Sequence, residues 1–343
     1  MKPGLVILFG AGATRGALLN RAVPPPVDRD FFDIASQLRG RGTGRLASRV
    51  MREVFDLYRH VSGVGLEEYF RDIEARAEIG EFAKPSNQPK NWAKRQADLV
   101  ELVRRVMVLT TGELGDQESA IHRRILGRLR PGDAVITFNY DMMVEEAIPN
   151  EGPRWNPSDG YGLQAGGVSL TWATRWQERH GNIASGSSQF RILKLHGSIN
   201  WTLYATNEVR LKPRPYVVRA RKGVAVSDKC AVLPPGWHKR INVNPYRKLW
   251  RKARLALEHC RDLAIIGYSL PDTDPLARAL LAEVCRSRAA RGQFLRRLHL
   301  ADPDDHTKER FCELFAPALG AKGHVYRYDG IGELGEKWRG VQR

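Results

Sequence analysis

Gly4-Leu5-Val6-Ile7-Leu8-Phe9 is an unbroken apolar run, and it stops at Gly10-Ala11-Gly12-Ala13-Thr14-Arg15-Gly16. A strand without polar alternation is covered on both faces, which parallel sheets achieve with flanking helices. A glycine turn at its carboxyl end, leading into a helix, opens a nucleotide-binding α/β unit. The pattern recurs downstream. Ala134–Phe138 ends at Asn139-Tyr140-Asp141, Phe190–Leu195 at His196-Gly197-Ser198, Leu263–Ile266 at Gly267-Tyr268-Ser269, and Leu295–Leu300 shortly before Asp302. In open α/β sheets ligands sit beyond the carboxyl ends of the strands. Five apolar strands with glycine or polar ends therefore mark a site as well as a fold.

The segments between these strands read as helices. Leu46, Val50, Val54, Leu57 and Val61 fall at three- and four-residue steps, as do Leu99, Leu102, Val103, Val106 and Leu109. Pro24-Pro25-Pro26 excludes a helix or central strand there, and Ala83–Lys90, with two prolines, divides the helical block. Residues 150–190 read as an irregular excursion, with Trp155, Trp172, Trp176 and Trp201 as packing anchors, and 199–240 as short strands and loops. Tyr246–His259, 275–290 and Asp304–Leu314 read as helices and His324–Tyr328 as a last strand. The expected architecture is α/β, a Rossmann-like doubly wound parallel sheet formed by residues 1–30 and 130–343. Residues 31–129 form a helical insertion subdomain.

Composition narrows the class. Hydrophobic residues make up 42% and charged residues 27% of the 343, which excludes a wholly disordered or collagen-like chain. No apolar stretch approaches the roughly 18 residues of a membrane helix, no signal-peptide pattern is present, and a cytoplasmic protein is expected. Cys230, Cys260, Cys285 and Cys312 lack C-x2-C spacing and read as free structural thiols, so no metal is expected. The net charge of +17 suits an anionic partner such as nucleic acid, but scattered basic helix faces explain it equally well.

The glycine turn by itself stays ambiguous. Its spacing, Gly10, Gly12 and Gly16, misses the dinucleotide fingerprint by one position, and a tight strand-to-helix turn needs glycine too. Asp28 has about the offset of the usual ribose-binding acid but follows the proline run. A standard dehydrogenase is disfavoured, and no P-loop sequence occurs.

Taken in order, Gly10-Ala11-Gly12-Ala13-Thr14, Thr137-Phe138-Asn139-Tyr140-Asp141, Lys194-Leu195-His196-Gly197-Ser198-Ile199-Asn200-Trp201 and Ile266-Gly267-Tyr268-Ser269-Leu270-Pro271-Asp272-Thr273-Asp274 resemble the motifs of sirtuins. More closely, they resemble the sirtuin-like NAD-hydrolase domains of bacterial anti-phage defence systems, over residues 4 to about 303. The resemblance implies that Gly10, Ala11, Gly12, Ala13 and Thr14 hold the diphosphate of NAD. Thr137 and Asp28 join the NAD-binding set, and Asn139 and Asp141 line the nicotinamide-ribose pocket. His196 is the catalytic base, Gly267 and Ser269 contact phosphate and ribose, and Asp302 lies near the adenosine. Asn139 would act with His196 in catalysis by orienting the attacking water.

These residue types suit the chemistry. Nicotinamide leaves as a neutral molecule, so no general acid is needed, only a positioned water and a base near neutral pKa. An asparagine amide can accept and donate without adding charge. The zinc ribbon of deacetylating sirtuins is missing, as is their Gly-Ile-Pro-Asp-Phe-Arg segment. NAD hydrolysis to nicotinamide and ADP-ribose in abortive infection is therefore expected ahead of two alternatives. One is an NAD-dependent protein deacylase; the other is a non-catalytic NAD- or ADP-ribose-binding scaffold in a nucleic-acid complex. The chain ends soon after its last strand, so control is expected from homo-oligomerisation or from another protein. The resemblance suggests a HerA-type ring ATPase or an Argonaute-type partner.

Overall fold

The computed structural model describes residues 3–38, 42–82, 89–112, 116–149, 151–163, 187–203, 209–211, 229–232 and 245–338. The elements run β1 (Leu5–Phe9), α1 (Ala11–Ala17), a 3-10 turn (Asp28–Asp30), α2 (Phe31–Gln37), α3 (Thr43–Tyr58), α4 (Leu66–Phe82), α5 (Pro89–Thr111) and α6 (Asp116–Leu126). Then follow β2 (Ala134–Thr137), α7 (Met143–Glu146), α8 (Pro157–Gly160), β3 (Arg191–Lys194), β4 (Gly197–Leu203), β5 (Val209–Leu211) and β6 (Lys229–Val232). The last third holds α9 (Tyr246–His259), β7 (Asp262–Ile266), α10 (Pro275–Ala290), β8 (Arg297–Ala301), α11 (Asp305–Leu319), β9 (His324–Tyr328) and α12 (Ile331–Lys337).

Six strands form one parallel sheet in the order β3-β2-β1-β7-β8-β9. Every residue of β1, β2 and β7 is buried, which is why those runs show no alternation. The strand order reverses direction between β1 and β7, so the glycine turn after β1 and the Gly267 turn after β7 lie side by side at the switch point. The Rossmann-like expectation holds.

The helical residues predicted from periodicity, Leu46, Val50, Val54, Leu99, Leu102, Val103 and Val106, are buried in one continuous core with the strands. Helices α3 and α4 each pack on α5, whereas α6 packs on α1, α7 and α12 beside the sheet. The proline-containing break at 83–88 lies outside the described residues, as do Trp172 and Trp176; Trp155 and Trp201 are buried as expected. Cys260 and Cys285 are buried reduced thiols, and burial pushes both up to about 12. No helix among the described residues is long and apolar enough to cross a membrane.

Three boundaries differ from expectation. Gly197, at φ +77, turns the chain directly from β3 into β4, which pairs antiparallel with β5 and β6 in a second sheet. Helix α11 continues to Leu319 because Pro317 sits on its exposed side in the last turn, where a lost backbone bond is cheap. Helix α12 was not foreseen: its two glycines make it a poor helix former. Ile331, Leu334 and Trp338 nevertheless bury there, with Gly335 against Ile121 and Gly16 against Ile331.

Asp133 fastens the start of β1 to that of β2. Its Oδ1 accepts the N–H groups of Gly4 (3.0 Å) and Leu5 (2.8 Å), and its Oδ2 accepts that of Arg130 (2.9 Å). Asp133→Ala strands these amides at a buried edge, and we expect a loss of about 3 kcal/mol in urea denaturation. A change under about 0.5 kcal/mol would mean that the strand ladder alone sets this edge.

Candidate active site at the strand ends

The two glycine turns at the switch point interlock. Gly10 N–H donates to Ile266 O (3.0 Å), Gly12 N–H to Gly267 O (2.9 Å) and Ala13 N–H to Gly10 O (3.0 Å). A Cβ on Gly10 would lie 2.4 Å from Gly267 O, and one on Gly12 3.0 Å from the Gly267 Cα. Close backbone approach, more than phosphate contact, therefore explains these glycines. Ala11 stays exposed at the rim of the turn.

Asn139 stands over this turn. Its backbone N–H donates to Thr137 Oγ1 (3.0 Å), and its amide donates to Gly10 O (2.9 Å) and Thr14 Oγ1 (3.1 Å). Thr14 in turn donates to Asp141 Oδ2 (2.8 Å), whose Oδ1 accepts Met143 N–H (2.9 Å). Burial raises the Asp141 carboxyl, with Lys194 and these bonds opposing. Both Asp141 oxygens thus serve the frame: they anchor Thr14 and begin α7. Asn139 Oδ1, by contrast, accepts no hydrogen bond among the described residues. It is an oriented acceptor, its amide already aimed by two bonds.

His196 caps β3 from the other side of the β2 loop. The loop between is braced: Lys194 Nζ donates to Asp141 O and pairs with Glu145 at 2.9 Å, both side chains fully buried. Trp250 Nε1 donates to Leu195 O (3.2 Å), and Ile199 N–H to Tyr140 O (3.0 Å). The imidazole is 3% exposed and packs on Phe138 (5.0 Å), Tyr140 (6.1 Å) and Trp250 (6.5 Å between ring centroids). Phe138 and Tyr140 flank Asn139, so one loop presents its amide to the glycine turn and its rings to His196. His196 Nε2 is 3.0 Å from Asp274 Oδ2, at the start of α10.

The remaining predicted residues sit further out. Ser269 is exposed after β7, where its carbonyl accepts from Arg310 (3.4 Å). Asp302 is half-buried after β8, its Oδ1 accepting Asp304 N–H (3.0 Å), and burial raises its carboxyl. Asp28 does not end a strand as the ribose-binding acid of a dinucleotide fold would. It lies in the 3-10 turn, and its Oδ1 accepts Glu67 N–H (2.7 Å) at the start of α4; burial raises it, opposed by that bond.

Sequence reasoning did not single out Asp274 or Glu67 for roles. Glu67 accepts a hydrogen bond from Thr273 Oγ1, joining α4 to the loop before α10. The Tyr268 hydroxyl is buried with no hydrogen-bond partner among the described residues, stacked on Phe138 at 4.4 Å. A signal for Asp274 did exist, since Asp-Pro is a helix N-cap followed by a first-turn proline. Nothing in that signal pointed to His196.

Among the other buried histidines, His122 packs on Phe9 and burial lowers it to about 3. His299 bonds the Tyr328 hydroxyl (3.1 Å), and burial lowers it to about 4. Both stay uncharged near neutral pH and belong to the packing.

An open parallel sheet carries a glycine turn, an asparagine and a histidine at adjacent strand ends, the arrangement of a Rossmann-type fold. The SIR2-like domain family matches residues 133–316, more than half of the chain, and the protein belongs to that family. SIR2-like domains use NAD. The match begins at β2, and the fold adds the glycine turn of residues 10–14 by setting β1 between β2 and β7. A search of curated proteins returned no match. No cluster of three or more metal-ligating side chains occurs among the described residues.

Proposed function

We propose that the protein is an NAD glycohydrolase, splitting NAD into nicotinamide and ADP-ribose. The observation that carries this reading is Asn139, whose amide N–H groups are committed to Gly10 and Thr14 while Oδ1 is left to accept from a water or a ribose hydroxyl. Ala11 and Ser269 offer exposed edges on the two turns for the phosphates and ribose, and Asp302 lies beyond β8 on the adenosine side. In the reaction the bond between the nicotinamide nitrogen and ribose breaks, with its electron pair leaving on nicotinamide. Water oxygen bonds to the ribose carbon, oriented by Asn139, and its proton passes to His196. The lack of a zinc ribbon in the sequence favours water over acyl-lysine as acceptor.

An anti-phage role through NAD depletion follows from the resemblance of the motifs to defence proteins. Such an activity must be held silent, by self-association or by a HerA-type or Argonaute-type partner. One observation supports nucleic-acid contact alongside this reading. Arg247, Lys248 and Arg251 are exposed on α9 and make no ion pair among the described residues. Lys252 adds to this stripe, lowered by its own burial and by Arg191 and Lys248.

The test is incubation with NAD, alone and with the product of the neighbouring gene, with products resolved by chromatography. We expect nicotinamide and ADP-ribose in equal amounts, and neither from Asn139→Ala or His196→Ala. Retained NAD binding without turnover in every condition would replace the hydrolase by the scaffold reading.

A further inference from the structure

We propose that Asp274 is the positioning residue for His196: its buried carboxylate, 3.0 Å from Nε2, favours the Nε2–H tautomer and holds the ring in its orientation. The inference rests on the hydrolase reading for its catalytic consequence, but the pairing itself stands on geometry.

The contact is 3.0 Å, between an imidazole 3% exposed and a carboxylate with no exposure at all. Asp274 is held independently of the histidine. Its Oδ1 accepts Ala277 N–H as the N-cap of α10, its own N–H donates to Pro271 O (3.2 Å), and Pro275 follows at the first helical position. The loop that delivers it is bent for the purpose. Leu270 sits at φ +53, a left-handed conformation that leucine avoids, directly before Pro271. Arg310 (2.8 Å) and Arg278 (3.4 Å) both donate to Leu270 O and hold that bend. Strained backbone kept in place by two guanidinium groups, with a buried carboxylate delivered to a buried imidazole, is the arrangement that orients a general base.

Other charges around the imidazole are carried by neighbouring elements. Tyr140 from the β2 loop and Tyr268 from the β7 loop are both raised well above an ordinary phenol, chiefly by burial, and stay neutral. The Glu67 and Asp28 carboxylates act on Tyr140 from α4 and the 3-10 turn, with Tyr246 from α9 beside them. The Asp274 carboxylate is the group in direct contact with Nε2.

Asp274→Asn tests the role, because asparagine preserves both the volume and the N-cap while removing the charge. In NAD cleavage we expect kcat to fall on the order of 100-fold with KM within threefold. A carboxylate beside imidazole favours the charged form, so its loss lowers the histidine pKa. The acid limb of the pH–rate profile should then move to lower pH by about one unit. Selective 15N-histidine labelling supplies a readout independent of turnover, with the His196 signals assigned by their loss in His196→Gln. Wild-type protein should show an Nε2–H tautomer that titrates at least about one unit higher than in Asp274→Asn. Unchanged kcat and pH profile, or an unchanged tautomer and titration, would overturn the proposal. A wild-type protein that cleaves no NAD sinks the hydrolase reading instead, and the NMR comparison still decides the pairing.

Discussion

Gly267→Ala is expected to disrupt the switch point of the sheet, costing about 4 kcal/mol or more and lowering Tm by roughly 5 °C or more. Gly267 has φ +58, and a Cβ there would stand 2.1 Å from Ala13 N and 2.4 Å from the Gly12 carbonyl carbon. Those are backbone atoms, so no rotamer change relieves the clash; the β1–α1 turn must move. That movement would break Gly12 N–H to Gly267 O and withdraw Gly10 and Thr14 from the Asn139 amide. NAD cleavage should disappear along with stability. Gly292→Ala is the matched control, since its φ is +61 but nothing lies within 4 Å of the added Cβ. It should cost only about 1–2 kcal/mol, the left-handed penalty by itself. Equal losses from the two substitutions in thermal denaturation would show that the interlocked turns contribute nothing beyond backbone strain.

Asn139→Ala should separate function from stability in the opposite sense. Removing the amide leaves few orphans, because Gly10 O still accepts Ala13 N–H and Thr14 Oγ1 still donates to Asp141. The cost in folding should stay near 1 kcal/mol. Loss of the oriented acceptor should slow NAD cleavage about 100- to 1,000-fold, the usual range for one preorganised polar group in an active site. Paired measurements of Tm and initial rate check this. A variant with a much lower Tm but a near-normal rate would make Asn139 a structural tie, and the assignment of water orientation to it would fall.

Local pattern carried much of the fold. Helix α10 was legible to the residue, Pro275 to Ala290, because Asp-Pro starts it and a regular apolar stripe of Ala277, Leu281 and Val284 continues it. The buried strands were legible because a strand covered on both faces has no polar residue to spare. Where only tertiary contact stabilises an element, the sequence was mute. Helix α12 has weak propensity and exists because Leu334 and Trp338 bury, while Pro317 reads as a helix stop until its exposed position is known. Short strands were expected from residue 199 onward, but that the chain folds back as β4 from Gly197 itself depends on the partner strands β5 and β6.

The candidate site divides along the same line. Sequence by itself determined which residues stand at the strand ends, since burial demands apolar strands and leaves chemistry to their carboxyl termini. It thereby placed Gly10, Asn139, His196 and Gly267 on one edge. Tertiary structure alone decided how those residues are used. Asp141 anchors Thr14 and α7, Asp28 holds the start of α4, and Asp274 returns from beyond a left-handed leucine to meet His196. A carboxylate's role depends on which donor lies about 3 Å away, and that distance is set by strand order and loop curvature, which no local pattern encodes.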